Sequence, residues 1–278
     1  MKFGINFLLW TGNFVNEQVN LFPRMKKMGY DGVELPINAT EGLDTRLVRR
    51  ALHDNGLGCT FCSVMPSDGS LIDPDPANRQ KGVDHLKCII DIAAEVGCET
   101  ICGPMYSPVG LLVGRGRNEV EWSHAVNAYK EIMPHAEQAK VFMAVEPLNR
   151  FETYFVNINS DVVKLVEEVG SDWMGLHYDT FHSNIEEKDP VAALKAAGKR
   201  VYHVHASEND RGIVGTGHVP WKETFATLKT MKYDRWVTVE SFLPALKELA
   251  AAAAIWRELA PSAEVLAEES LKFMKSLV

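Results

Sequence analysis

Eight times along the chain a short apolar run gives way to a polar loop and then to a segment with helical spacing, usually closed by glycine. The runs cover 2–10, 32–38, 58–65, 100–106, 141–149, 174–180, 201–208 and 236–242, and each has the length of a strand. Between them, Leu47, Val48, Ala51 and Leu52 recur at helical spacing behind Asp44 and ahead of Gly56. Val83, Leu86, Ile90, Ala93 and Ala94 do the same within 76–96, ahead of Gly97. Asp189-Pro190 has the chemistry of a helix cap and first turn, for a helix through Ala197 that closes at Gly198. Pro23 lies inside an otherwise periodic first helix, which should start late or kink there. The alanine run 250–254 belongs to a helical stretch with Trp256 and Leu259. Residues 262–277 predict a further helix after the eighth unit, covering a barrel end or a subunit contact.

Eightfold alternation of strand and helix, with no linker and no break in composition, predicts one closed parallel (β/α)₈ barrel, a TIM barrel. It should span 1–278 as a single α/β domain with an extra C-terminal helix. An open doubly wound sheet fits less well, because no glycine-rich dinucleotide loop follows a strand. Gly114-Arg115-Gly116 lacks a third glycine, and neither a P-loop nor a G-x-S-x-G is present. The 46% hydrophobic and 24% charged content is that of an ordinary soluble globular protein. A formal charge of -8 opposes nucleic-acid and anionic-membrane surfaces, which need clustered Lys and Arg. The first apolar run, 7–10, is too short for a signal peptide or a membrane span, so the expected location is the cytoplasm. Of the five cysteines, Cys59 and Cys62 form a C-x-x-C. They sit within a strand, where residues three apart point to opposite faces, so all five are read as reduced and mostly structural.

Function on this fold gathers at the carboxyl ends of the strands. Strand five ends in Ala144-Val145-Glu146, strand six in His177-Tyr178-Asp179, strand seven in His203-Val204-His205 and strand eight in Thr238-Val239-Glu240. Period-two alternation turns Glu146, Asp179, His205 and Glu240 to the barrel interior, in line with Ala144, His177, His203 and Thr238. Three inward carboxylates in one confined site call for a divalent cation between them. A shell of three carboxylates and an imidazole is hard and oxygen-rich, favouring Mn²⁺, Mg²⁺ or Co²⁺ over a thiolate zinc site; of these, Mn²⁺ is the cofactor expected. His205 is preferred as ligand to the deeper His203. After Asp179 the chain should break into a polar loop carrying His182. The bland alternative for Asp179 is a buried carboxylate that caps its own loop.

Four segments carry a resemblance: Glu146-Pro-Leu-Asn-Arg-Phe-Glu152, Asp179-Thr-Phe-His182-Ser-Asn-Ile-Glu-Glu187, His205-Ala-Ser-Glu-Asn-Asp-Arg211-Gly and Gly215-Thr-Gly-His-Val-Pro-Trp221. Together they resemble the ketose 3-epimerases, the group of D-tagatose, D-allulose (psicose) and L-ribulose 3-epimerases within the xylose-isomerase-like barrels. The likeness runs the length of the chain. It implies metal ligands at Glu146, Asp179, His205 and Glu240, and substrate contacts from Glu152, His182 and Arg211. It also implies reversible C3 epimerisation of a free ketose, with a metal holding O2 and O3. Glu146 and Glu240 would remove and return the proton through a cis-enediolate. A homo-oligomer, dimer or tetramer, is expected as well. The alternative is another sugar or polyol isomerase of the inosose or hydroxypyruvate type. Departures from the family fall at Asn6, Phe14, Ser183, Ser241 and the loop 106–110, which lacks a tryptophan. Asn6 and Phe14, standing where larger aromatic residues are common, predict smaller cavity walls and a broad preference among ketoses.

Overall fold

A computed structural model describes all 278 residues. The strands are β1 (Lys2–Asn6), β2 (Gly32–Pro36), β3 (Gly58–Cys62), β4 (Thr100–Gly103), β5 (Phe142–Val145), β6 (Met174–Asp179), β7 (Val201–Ala206) and β8 (Trp236–Val239). All are parallel and pair in chain order, and β8 returns to β1 to close the barrel. Each predicted strand is present, but all eight stop short of the end of their apolar run. The first stops at Asn6 because the Asn6 side chain accepts the Leu8 N–H and starts a 3₁₀ turn over Phe7–Leu9. Phe7 and Leu9 are nonetheless buried, so the apolar run reported packing and not pairing.

The helices are α1 (Phe22–Met28), α2 (Thr45–Asn55), α3 (Pro76–Val96), α4 (Glu119–Ala139), α5 (Asn159–Val169), α6 (Thr180–Glu186), α7 (Pro190–Ala197), α8 (Trp221–Thr230), α9 (Lys247–Ala252) and α10 (Ala263–Lys275). Caps fall where the side chains predict them: Asp44 accepts from Leu47 N and Asp189 from Ala192 N. The first helix starts late, with Pro23 in its first turn, where a missing N–H costs nothing. The C-terminal helix α10 takes the eighth place in the outer ring, between α8 and α1. Phe273 meets Trp221, Arg24 pairs with Glu264, and Tyr30 donates to the Ala267 carbonyl. The short α6 and α9 are the additional helices, after β6 and β8, and α9 lies at the barrel mouth. The alanine stretch departs from expectation: α9 ends at Ala252, and Trp256 is 76% exposed. Alanine is a good helix former everywhere, so its run carries no information on where a helix must stop.

One large apolar cluster fills the layer between the outer face of the strands and the helices. The amino-terminal end of the lumen is plugged by aromatic rings set against glycines. A Cβ on Gly175 would lie 2.2 Å from the Tyr202 ring, and one on Gly32 2.4 Å from Trp236. That plug leaves the opposite end, where the carboxyl termini of the strands converge, as the way in. No helix is long and apolar enough to cross a membrane.

Candidate active site

Strand alternation brings Glu146, Asp179 and His205 together, all buried, with one ligand atom from each lying within 4.8 Å of the others. His205 Nδ1 lies 3.6 Å from Asp179 Oδ2 and 3.2 Å from Glu240 Oε1, yet makes no well-directed hydrogen bond. Glu240 and Arg211 form an ion pair, and Arg211 Nη1 also sits 3.3 Å from Asp179 Oδ2 and 2.8 Å from Ser207 Oγ. The four residues singled out as ligands thus meet around one buried, unpartnered imidazole nitrogen. Three carboxylate side chains and that nitrogen fit a hard divalent cation.

Asp179 caps the segment that follows it and also faces the cluster. Its Oδ1 caps α6, accepting from Phe181 N and His182 N, while Oδ2 faces His205 and Arg211. The segment after Asp179 is therefore a short helix and not the expected polar loop. A buried carboxylate positioned to cap satisfies the first-turn N–H groups that would otherwise be stranded. The helix sets His182 against the site. Asn149 N donates to His182 Nδ1 at 3.0 Å, leaving Nε2 3.7 Å from Glu146 Oε1. Glu152 accepts from Asn149 Nδ2 at 2.7 Å. Arg211 adopts φ 64°, a left-handed backbone uncommon for a residue with a side chain. Ser241 Oγ donates to the Arg211 carbonyl, so this departure from the family pins the arginine's loop. Glu146, Glu152, His182, His205, Arg211 and Glu240 all line one cavity at the mouth.

Electrostatics follow from burial and from these neighbours. Burial, reinforced by Asp179, pushes the Glu146 carboxyl well above the usual carboxylate range. Burial acts in the same direction on Asp179, but Arg211 and the nearby imidazoles overcome it and hold Asp179 well below that range. His205 resists its own desolvation because Glu240 and Glu34 favour its charged form, and its pKa is raised. Burial depresses His182, His177 and His203.

A deeper group, Cys102, His177, His203 and His205, also has ligand atoms within 4.8 Å of one another. It shares His205 with the upper group, but Cys102, His177 and His203 do not reach the cavity. The upper group is the one open to a sugar-sized ligand. Glu34, on β2, escaped the sequence reading altogether. It is fully buried, with Oε1 2.6 Å from His205 Nε2 and Oε2 2.7 Å from His203 Nε2. Its signal was present: Gly32-Val-Glu-Leu-Pro36 carries an acid at an inward position of an otherwise apolar strand.

The expected specificity walls are misplaced. Asn6 is buried beneath the cavity, donating to Glu34 Oε1 at 2.7 Å. Phe14 packs with Phe7 and Phe22 outside the barrel wall. Ser183 is bonded to Asn159 and does not line the cavity either. The walls are instead Leu8, Val64, Val109, Leu148, Phe242 and Ala253. Sequence position near a strand end does not reveal whether a side chain turns into the mouth or behind the strand. The loop 106–110 does contribute, through Val109.

Residues 22–277 match the model of the xylose isomerase-like TIM barrel family. A protein of Synechocystis sp. named as a probable ketose 3-epimerase is 34% identical over 275 residues, covering 99% of this chain and 96% of the relative. An L-ribulose 3-epimerase of Mesorhizobium japonicum is 27% identical, covering 98% of this chain and 93% of the relative. The solved structure of a D-allulose 3-epimerase from Methylomonas sp. in complex with D-allulose superimposes with a TM-score of 0.93 at 27% identity. It covers 100% of this chain and 97% of that one. Closed topology, a buried cluster of carboxylates and imidazole, and full-length likeness agree: the chain belongs to the xylose isomerase-like TIM barrels and, within them, to the ketose 3-epimerases, which are isomerases.

Proposed function

We propose that this chain reversibly epimerises free ketoses at C3, using a divalent cation held by Glu146, Asp179, His205 and Glu240. The observation that carries the reading is the unpartnered His205 Nδ1 facing Asp179 and Glu240, with Glu146 in the same cluster, at the floor of the cavity. The cation would supply Lewis acidity toward the sugar's O2 and O3. The oxygen-rich donor set favours Mn²⁺, with Mg²⁺ and Co²⁺ as substitutes. D-allulose and L-ribulose, the sugars in the relatives' names, are the first substrates to try.

The side chains divide the remaining work. Glu146 follows β5 and Glu240 follows β8, so they approach a bound sugar from different sides of the mouth. One removes the C3 proton and the other returns a proton to the opposite face of a cis-enediolate. A positioned base contributes about 10²–10⁴-fold, roughly 3–5 kcal/mol. Enzymic accelerations start near about 8 kcal/mol, so stabilisation of the charge developing at O2 must provide the rest. Arg211 and His182 are placed to donate toward that oxygen, and Glu152 to accept from a sugar hydroxyl. The five unpaired cysteines suit a reducing cytoplasm. A homo-oligomer is supported by apolar side chains left in water beside the mouth, among them Phe151 at 72% exposure and Leu112 at 51%.

The test is to incubate metal-stripped protein with D-fructose, D-allulose, D-tagatose and L-ribulose in D₂O, with and without Mn²⁺. Expected are C3 epimers carrying deuterium at C3, formed in the presence of the added cation and absent without it. Turnover by metal-free protein, or product without solvent deuterium at C3, would overturn the scheme.

A further inference from the structure

Glu34 has no cavity surface and lies beneath the cluster, so it needs a reason to be there. A carboxylate sealed from water is costly unless its oxygens are paired. Here four donors converge on it, and a second imidazole stands close by. Asn6 Nδ2 (2.7 Å) and His205 Nε2 (2.6 Å) reach Oε1. Thr60 Oγ1 (2.8 Å) and the Cys102 thiol (3.3 Å) reach Oε2, and His203 Nε2 lies 2.7 Å from it without a well-directed hydrogen bond. Asn6, Glu34 and Thr60 are register partners across β1, β2 and β3, so the holders of the carboxylate are built into the sheet. His205 arrives from β7, on the far side of the lumen, and the carboxylate bridges the gap.

We infer that Glu34 is a positioning residue: it fixes the ring orientation and tautomer of His205, so that Nδ1 offers its lone pair to the cation site. The inference rests on the proposed role of His205 as a ligand. An ionised carboxylate accepts and cannot donate, so its partner nitrogen, Nε2, carries the hydrogen. A cation at the site would displace the second proton that the surrounding carboxylates favour, and the lone pair of the neutral ring is then left on Nδ1, the atom that faces Asp179 and Glu240. Without Glu34 the ring could rotate, or place its hydrogen on the wrong nitrogen. Partners of this kind behind a ligand histidine are worth about 10–100-fold in metal affinity. A Glu34 that merely satisfied the lumen would affect stability and leave affinity alone.

The experiment titrates Mn²⁺ into metal-stripped wild type, Glu34→Gln, Glu34→Asp, Thr60→Val and His205→Asn. Free Mn²⁺ is followed by electron paramagnetic resonance, and thermal unfolding is recorded for each protein. Glu34→Gln keeps the shape but can donate to Nε2. It is expected to weaken Mn²⁺ binding about 10–100-fold while still unfolding cooperatively. Glu34→Asp should recover part of the loss, and Thr60→Val, which loosens the carboxylate and leaves its charge, should weaken binding by a smaller factor. In wild type loaded with diamagnetic Mg²⁺, ¹⁵N spectra of the histidines should show the hydrogen of His205 on Nε2. Unchanged Mn²⁺ affinity in folded Glu34→Gln overturns the inference, and so does a hydrogen on Nδ1 in the wild type, whatever the variants do. If His205→Asn retains full affinity, the metal reading of the site fails as well.

Discussion

The lumen of the barrel and the jacket between strands and helices are both sealed from water, yet they are made of opposite chemistry. Jacket positions on the strands are Val33, Leu35, Phe61, Ile101, Met143, Leu176 and Val204, facing helix residues such as Ile90 and Leu165. Lumen positions on the strands include Asn6, Glu34, Thr60, Cys102, His177, His203 and His205. Barrels of this type ordinarily fill the lumen with bulky branched apolar side chains. Burying a large apolar side chain contributes about 1.5–3 kcal/mol, whereas a buried polar group without a partner costs about 1–3 kcal/mol. His177 has no hydrogen-bond partner on either nitrogen. The jacket therefore carries the stability that lets the lumen hold groups suited to chemistry and poorly suited to packing.

Substitutions that separate the two regions should produce effects of different kinds. The largest is expected at the mouth of the lumen. Glu146→Gln or Glu240→Gln should lower kcat by about 10²–10⁴-fold and leave the unfolding temperature within a few degrees of wild type. A marked loss of stability in either variant would mean that the lumen also holds the fold together, and the contrast would break. Next comes the jacket. Leu165→Ala should cost about 2–5 kcal/mol in urea unfolding, because Leu165 is fully buried. The protein that remains folded should keep its kcat/KM, since the change lies away from the cavity.

A smaller effect is expected where the regions meet. Val109→Trp or Phe242→Ala should shift the ratio of kcat/KM between D-allulose and L-ribulose by about 10–100-fold, with Mn²⁺ affinity unchanged. Phe14→Trp, being in the jacket, should alter stability and leave that ranking alone. If Phe14→Trp moved the ranking as much as Val109→Trp, the boundary between wall and jacket would be drawn in the wrong place.

The smallest effect lies away from both regions, at Glu121 in the first turn of α4. Hydrogen bonds from Arg115 hold its carboxyl below the ordinary range, against a smaller opposing effect of burial. A lowered native pKa means that the stabilisation is present above the unfolded pKa. It fades as pH falls through the native value. Glu121→Gln should therefore be less stable than wild type at neutral pH, by under about 1 kcal/mol because half-exposed Arg115 is screened. The difference should start to shrink as pH falls below about 4.3, the unfolded value, and go on shrinking through the lower native value. A gap that widened on acidification would reverse the sign of this contribution.

What the sequence determined by itself was whatever depends on near neighbours. Periods of two and 3.6 placed the eight strands and the caps at Asp44 and Asp189. Alternation along single strands was enough to turn Glu146, Asp179, His205 and Glu240 inward. Closure of the ring then had to bring them to one end. The tertiary structure decided which inward groups meet and which apolar residues face the sugar. Glu34 and His205 are separated by 171 positions and touch across the lumen, a pairing that no local period encodes. Asn6 and Phe14 look like mouth residues along the chain. The Asn6 side chain turns the backbone into a 3₁₀ helix while holding Glu34, and that turn carries the chain so that Phe14 lies behind the wall. Hydrophobicity reports that a side chain is buried; the direction in which it is buried is set by the path of the backbone around it.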